Sequence, residues 1–238
     1  AKSMLGCFES TPLMAREEEM ENTRPQGLLF WSGMGGLVFF SAVATSVLFV
    51  AAFSNTSAGS FRDHVVLMPL AFVLIAPLGA TVWRVGAAFG APHAIAKTAH
   101  GSMMSSAALI GSFGFGYIWD AHSGQTHFQS AHSWVGGLAL VLFIGNAISA
   151  ALIFALPFAS HSLRVAFKPL HVFVGGISIV ITLASALMGI VSFAGRGDNA
   201  SAKDLEYKFA ALAMAGLLAS FALVFYSSSL GKPDRASY

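Results

Sequence analysis

The chain is poor in cysteine and in charge, and each scarcity excludes something. Its 238 residues include one cysteine, Cys7, so it can close no internal disulfide and has no CxxC pair to grip a metal or tether a prosthetic group covalently. Only 10% of its residues are charged, with a formal net charge of +2. That excess is too small, and the basic residues too scattered, to build a nucleic-acid face. Polar surface is missing as well. With 55% hydrophobic residues and a mean hydropathy of +0.70, the chain cannot cover a water-soluble domain of its length. Its solvent is therefore expected to be a lipid bilayer.

Residues 1–26 are polar, carry the acidic run Glu17-Glu18-Glu19 and the breaker Pro25, and have no long apolar core. They are expected to form a solvated tail, as are residues 231–238. A removed leader stays open, because the first residue is Ala1. Between the tails, residues 27–230 contain six apolar runs, about 28–53, 64–86, 94–118, 131–156, 168–194 and 206–229. Each is long enough to cross a hydrocarbon core of about 30 Å. The connections are short, which forces neighbouring helices to run antiparallel. The predicted fold is an all-α, integral membrane bundle of six transmembrane helices.

Three histidines stand beside glycines inside these apolar runs, in Lys97-Thr-Ala-His100-Gly101, His132-Ser-Trp-Val-Gly136-Gly137 and Pro169-Leu-His171-Val-Phe-Val-Gly175-Gly176; a fourth, His64, opens its own run. An imidazole at membrane depth needs a hydrogen-bond partner, a metal or a water path. Call the face holding the N-terminus side A. Alternate crossing then puts His64 and His132 near side B, and His100 and His171 near side A. One intramembrane histidine alone is as well read as a packing or proton-relay residue, but two level-matched pairs on four successive helices point to two bis-imidazole haem sites. Gly101, Gly136, Gly137, Gly175 and Gly176, with Gly111, Gly114 and Gly116, either leave room beside those ligands or serve close helix packing.

Nine of the thirteen basic residues fall on side A: Lys2, Arg16, Arg24, Arg84, Lys97, Arg164, Lys168, Lys232 and Arg235; side B has Arg62, Arg196, Lys203 and Lys208. The positive-inside rule makes side A cytoplasmic, or its stromal or matrix equivalent. The sequons at Asn55 and Asn199 fall in side B connections, as that orientation requires.

The order of Arg84, Lys97-x-x-His100-Gly101, His132-Ser133-Trp134-x-Gly136 and Ser162-Leu163-Arg164 leading to Pro169-x-His171-x-Phe-x-Gly175 resembles the cytochrome b561 family over roughly residues 28–230. The resemblance implies two non-covalent b haems on the second to fifth helices, with His64, His100, His132 and His171 as axial ligands. It implies electron transfer from cytosolic ascorbate to monodehydroascorbate or ferric iron on the far side. Lys97 and Arg164 match positions the family associates with ascorbate, and Arg84 and Lys168 lie at the same helix ends. Arg84 and Lys168 are equally readable as snorkelling cations or partners of haem propionates, a reading that the family match sets below ascorbate binding for Lys97 and Arg164. His122 resembles the family's histidine before the fourth helix, and His127 is an additional candidate. Asp63, Val65 and Gln129 depart from the family's usual Asn, Pro and Tyr. A haem-bearing or structural subunit of a larger membrane electron-transfer complex stays open as the alternative, as does a homodimer.

Overall fold

A computed structural model describes residues 12–194 and 200–230. Lys2, Cys7, Arg196, Asn199, Lys232, Arg235 and the 231–238 tail lie outside the described residues. Apart from short connections, the described residues form helices α1 (Pro12–Asn55), α2 (Ser60–Ala88), α3 (His93–Ala121), α4 (Ala131–Ala155), α5 (His161–Ala194) and α6 (Ala200–Leu230). No strand occurs among the described residues.

Five of these helices contain stretches long and apolar enough to cross a membrane. The expected third span, α3, has the length, 29 residues, or about 43 Å, but its glycines and serines dilute its apolarity. It packs closely along α2, where small residues let two backbones approach. Two helices begin earlier than hydropathy suggests. The backbone of residues 12–26 is helical and continuous with the rest of α1, and α5 starts at His161. There the Ser160 hydroxyl accepts the Leu163 N–H at 3.2 Å, an N-cap worth about 1 kcal/mol. A hydropathy window passes over that start because Arg164 and Lys168 lie among the first eight residues of the helix.

Within lipid the hydrophobic effect does not hold one helix against another, so close packing and polar contacts must. The long antiparallel helices α1 and α6 show this. Ala44, Ala210 and Ala213 are buried between larger Leu37, Met214 and Leu217, and the Phe40 ring lies over Gly216, where an added Cβ would sit 2.7 Å from it.

The other four helices form two hairpins. α2 packs extensively on α3, and α4 on α5, while direct contact between the hairpins is sparse. The α4 span is only 11% buried, the least of the five. Between the hairpins, at mid-depth, Phe72 and Phe143 meet edge to face at 5.2 Å. Pro69 positions Phe72: it lacks the N–H that an α-helical ladder needs, and residues Leu70–Ile75 follow as a π-turn, the local widening that accommodates such a break.

Candidate functional site

Each of the four central helices carries one of the four histidines, and each also carries the acceptor for a neighbour's histidine. His64 of α2 donates its Nδ1–H to the Gly114 carbonyl of α3 at 2.9 Å, and His100 of α3 donates to the Gly79 carbonyl of α2 at 2.8 Å. The second hairpin repeats the exchange. His132 of α4 donates to the Ser185 carbonyl of α5 at 2.8 Å, and His171 of α5 donates to Asn146 Oδ1 of α4 at 3.0 Å. Carbonyl and amide oxygens only accept, so Nδ1 holds the proton in every ring and Nε2 keeps its lone pair. On each helix the histidine and the acceptor stand 14 or 15 positions apart, or about 21 Å along the axis.

The rings then meet in twos. His64 and His132 have centroids 6.3 Å apart with planes at 78°; His100 and His171 are 6.2 Å apart at 87°. Two metal–imidazole bonds of about 2.0 Å, plus about 1.15 Å from each nitrogen to its ring centre, add to about 6.3 Å. The spacing therefore fits one metal between each pair of Nε2 atoms. No group of three or more His, Cys, Asp or Glu among the described residues could hold a bare ion. Two nitrogens that bind one metal from opposite sides of a planar macrocycle need rings at that spacing.

The local sequence explains how the rings are aimed. Ser130 and Ser133 exchange hydroxyl and backbone bonds at 3.2 and 3.1 Å in a capping box, which fixes the first turn of α4 and with it His132. The serine of His132-Ser133-Trp134 is thus a cap, while Trp134 is 67% exposed on the outer surface, as a tryptophan at the membrane interface would be. Gly189 leaves the space that His132 fills, since a Cβ there would lie 3.0 Å from its Cε1. The glycines do not all share that task. Gly111 lies under Phe72 and Gly137 under Phe128, and nothing lies within 4 Å of where a Cβ on Gly101, Gly116 or Gly176 would stand.

At the His64/His132 end a cavity of roughly 310 Å³ runs outward past Phe115, Trp119, His122 and His127. His122 is anchored by Nδ1 to the Ile118 carbonyl at 2.9 Å, and His127 stacks flat on Trp119 at 3.8 Å. Their ring centres are 6.5 Å apart. Phe128, in the same wall, has φ 57°, a left-handed conformation costing about 1–2 kcal/mol for a bulky residue. Its ring packs on Trp134 and Trp119.

At the other end Lys97 and Arg164 converge on α4. Lys97 Nζ donates to the Phe154 carbonyl at 2.7 Å; Arg164 donates from Nε to Ile153 and from Nη2 to Leu156, both at 3.1 Å. These carbonyls belong to the π-turn Ala151–Ala155 and the residue after it, where a helix end leaves acceptors unmet and carries partial negative charge. Phe154 in turn lies 5.4 Å from the His171 ring. Arg84 is not part of this group: its guanidinium sits over the Phe225 ring of α6 at 3.9 Å. Lys168 is exposed.

The carbonyls of Gly79, Gly114 and Ser185, the side chain of Asn146 and the aromatic walls Trp119, Phe128 and Phe154 were not evident from the sequence. Of these only Asn146 left a signal, as an amide inside an apolar run.

Among known families, eukaryotic cytochrome b561 matches residues 63–194, which is the stretch from α2 to α5. The mouse (Mus musculus) plasma membrane ascorbate-dependent reductase CYBRD1 is 30% identical over 107 residues, covering 44% of this chain and 37% of the mouse protein. The rat (Rattus norvegicus) protein of the same name is 30% identical over 101 residues, 42% of this chain and 35% of its own length. The matched stretch thus spans little more than a third of these relatives.

Proposed function

The chain belongs to the cytochrome b561 family, and from that premise we propose that it carries electrons across a membrane. The donor is ascorbate on the side of His100 and His171; the acceptor is monodehydroascorbate or a ferric chelate on the side of His64 and His132. One observation carries the reading: two histidine pairs, each about 6.2–6.3 Å between ring centres with Nε2 left free, stand at opposite ends of a four-helix core.

His64 and His132 would hold one non-covalent b haem and His100 and His171 the other, supplying reversible one-electron chemistry near each face. Held by two histidines each, such groups would serve electron transfer rather than oxygen chemistry. The remaining work belongs to the chain. Lys97 and Arg164 keep two cations at the side A end beside Phe154 and His171, where they draw in the ascorbate anion. The dry Phe72–Phe143 contact excludes water between the two levels. At the other end His122 and His127 flank the mouth of the cavity that leads to His64 and His132 and there meet the acceptor.

The test is an optical titration of the purified holoprotein, with haem counted by pyridine haemochrome. Two haems per chain, both reduced on adding ascorbate, are expected. One haem or none, or reduction by dithionite but not by ascorbate, would sink the proposal.

A further inference from the structure

Three of the four histidines give their Nδ1–H to backbone carbonyls, acceptors that no substitution can remove. The fourth differs. His171 gives its proton to a side chain, Asn146 Oδ1 at 3.0 Å, while Asn146 Nδ2 donates to the His171 carbonyl at 3.3 Å. That second bond decides which way the amide faces: its NH2 is spent on the carbonyl, so its oxygen must meet the ring. An amide within an apolar span is costly unless its polar atoms are satisfied, and both those of Asn146 are used on one residue. The fold also makes room for it, because a Cβ on Gly175, one turn beyond His171, would stand 3.0 Å from Asn146 Nδ2.

We propose that Asn146 is a positioning residue for the His100/His171 site. It fixes the tautomer of His171 and holds its ring at 87° to His100, and through acceptor strength it sets the reduction potential of that site separately from the other. The physical link is ligand basicity. A stronger acceptor at Nδ1 gives the ring more imidazolate character, which stabilises oxidised iron and lowers the potential; removing the acceptor does the reverse.

This rests on the haem reading above, so haem is counted first in the parent protein: fewer than two per chain there is a failure of that reading alone. With two present, potentials are measured by spectroelectrochemistry on the parent, Asn146→Asp and Asn146→Leu holoproteins, all close in shape. Asn146→Asp should lower the midpoint of one haem. Asn146→Leu should raise it, or lose that haem, and should change the low-spin EPR anisotropy that reports the angle between the imidazole planes. The second haem should stay put in both. Midpoints unmoved in both variants, shifts of the same sign, a shift in both haems, or loss of haem from Asn146→Asp would each overturn the proposal, since a residue that only fills space has no reason to move one potential in two directions.

Discussion

Lys97 has two demands on one ammonium. It holds the Phe154 carbonyl at 2.7 Å, and under the proposed function it also draws ascorbate to the side A end. Both tasks fit a cation that is exposed while lying against a helix C-terminus, where positive charge is worth about 0.3–1 kcal/mol at low salt. Lys97→Ala should therefore slow ascorbate reduction of the nearer haem by roughly tenfold, equivalent to about 1.4 kcal/mol, without emptying either site, because His100 and His171 stay in place. Stopped-flow mixing at low ionic strength checks this, and added salt should narrow the difference by screening. Equal rates for Lys97→Ala and the parent would leave Lys97 as a helix anchor only. Arg84 is expected to matter less to this step, since its guanidinium is engaged at Phe225.

At the scale of the helix, the π-turn in α2 and the glycine facing it act together. The turn brings Phe72 to mid-depth, and Gly111 of α3 gives its ring somewhere to lie; a Cβ at Gly111 would come within 2.4 Å of Phe72 Cε2. Neither half works without the other. Gly111→Leu should overpack the α2–α3 contact and destabilise the protein by about 1–3 kcal/mol, read as a lower thermal midpoint in detergent. Gly35→Leu is the matched comparison. Gly35 lies on the exposed side of α1 with nothing within 4 Å of an added Cβ, so its midpoint should hold or rise, since leucine is the better helix former. Equal losses from the two substitutions would mean that the Phe72 contact contributes nothing special.

For the whole molecule, the exchange of hydrogen bonds within each hairpin has a consequence for how the sites fail. Each pair of histidines draws one ring from each hairpin, yet each ring is held from within its own hairpin. Removing one ring should leave the other three oriented. His132→Ala is thus expected to lose the haem of the His64/His132 site and keep the other, which ascorbate still reduces. In vesicles loaded with ascorbate, transfer to an external ferric chelate should fall to background. Haem content and spectra check the first part and a colour assay for ferrous iron the second. Loss of both haems would show that the two ends do not hold their ligands independently.

The sequence by itself determined the class of molecule and the order of its helices, though not where α1 and α5 begin, and it matched the histidines in two pairs. Hydropathy is a property of composition along the chain, and alternate crossing by short-looped helices ties position in the chain to side of the membrane. His64 could be matched with His132, and His100 with His171, on that ground alone. Tertiary structure decided what holds them. Every residue has a carbonyl, so nothing in the letters singles out Gly79, Gly114 or Ser185 as acceptors; that depends on which carbonyl a neighbouring helix presents at the level of each ring. The same holds for the cations. Arg84, Lys97 and Arg164 read alike in sequence as basic residues at one face, but their long side chains follow the nearest acceptor. Packing sends Arg84 to an aromatic ring on α6 and the other two to the exposed carbonyls of α4.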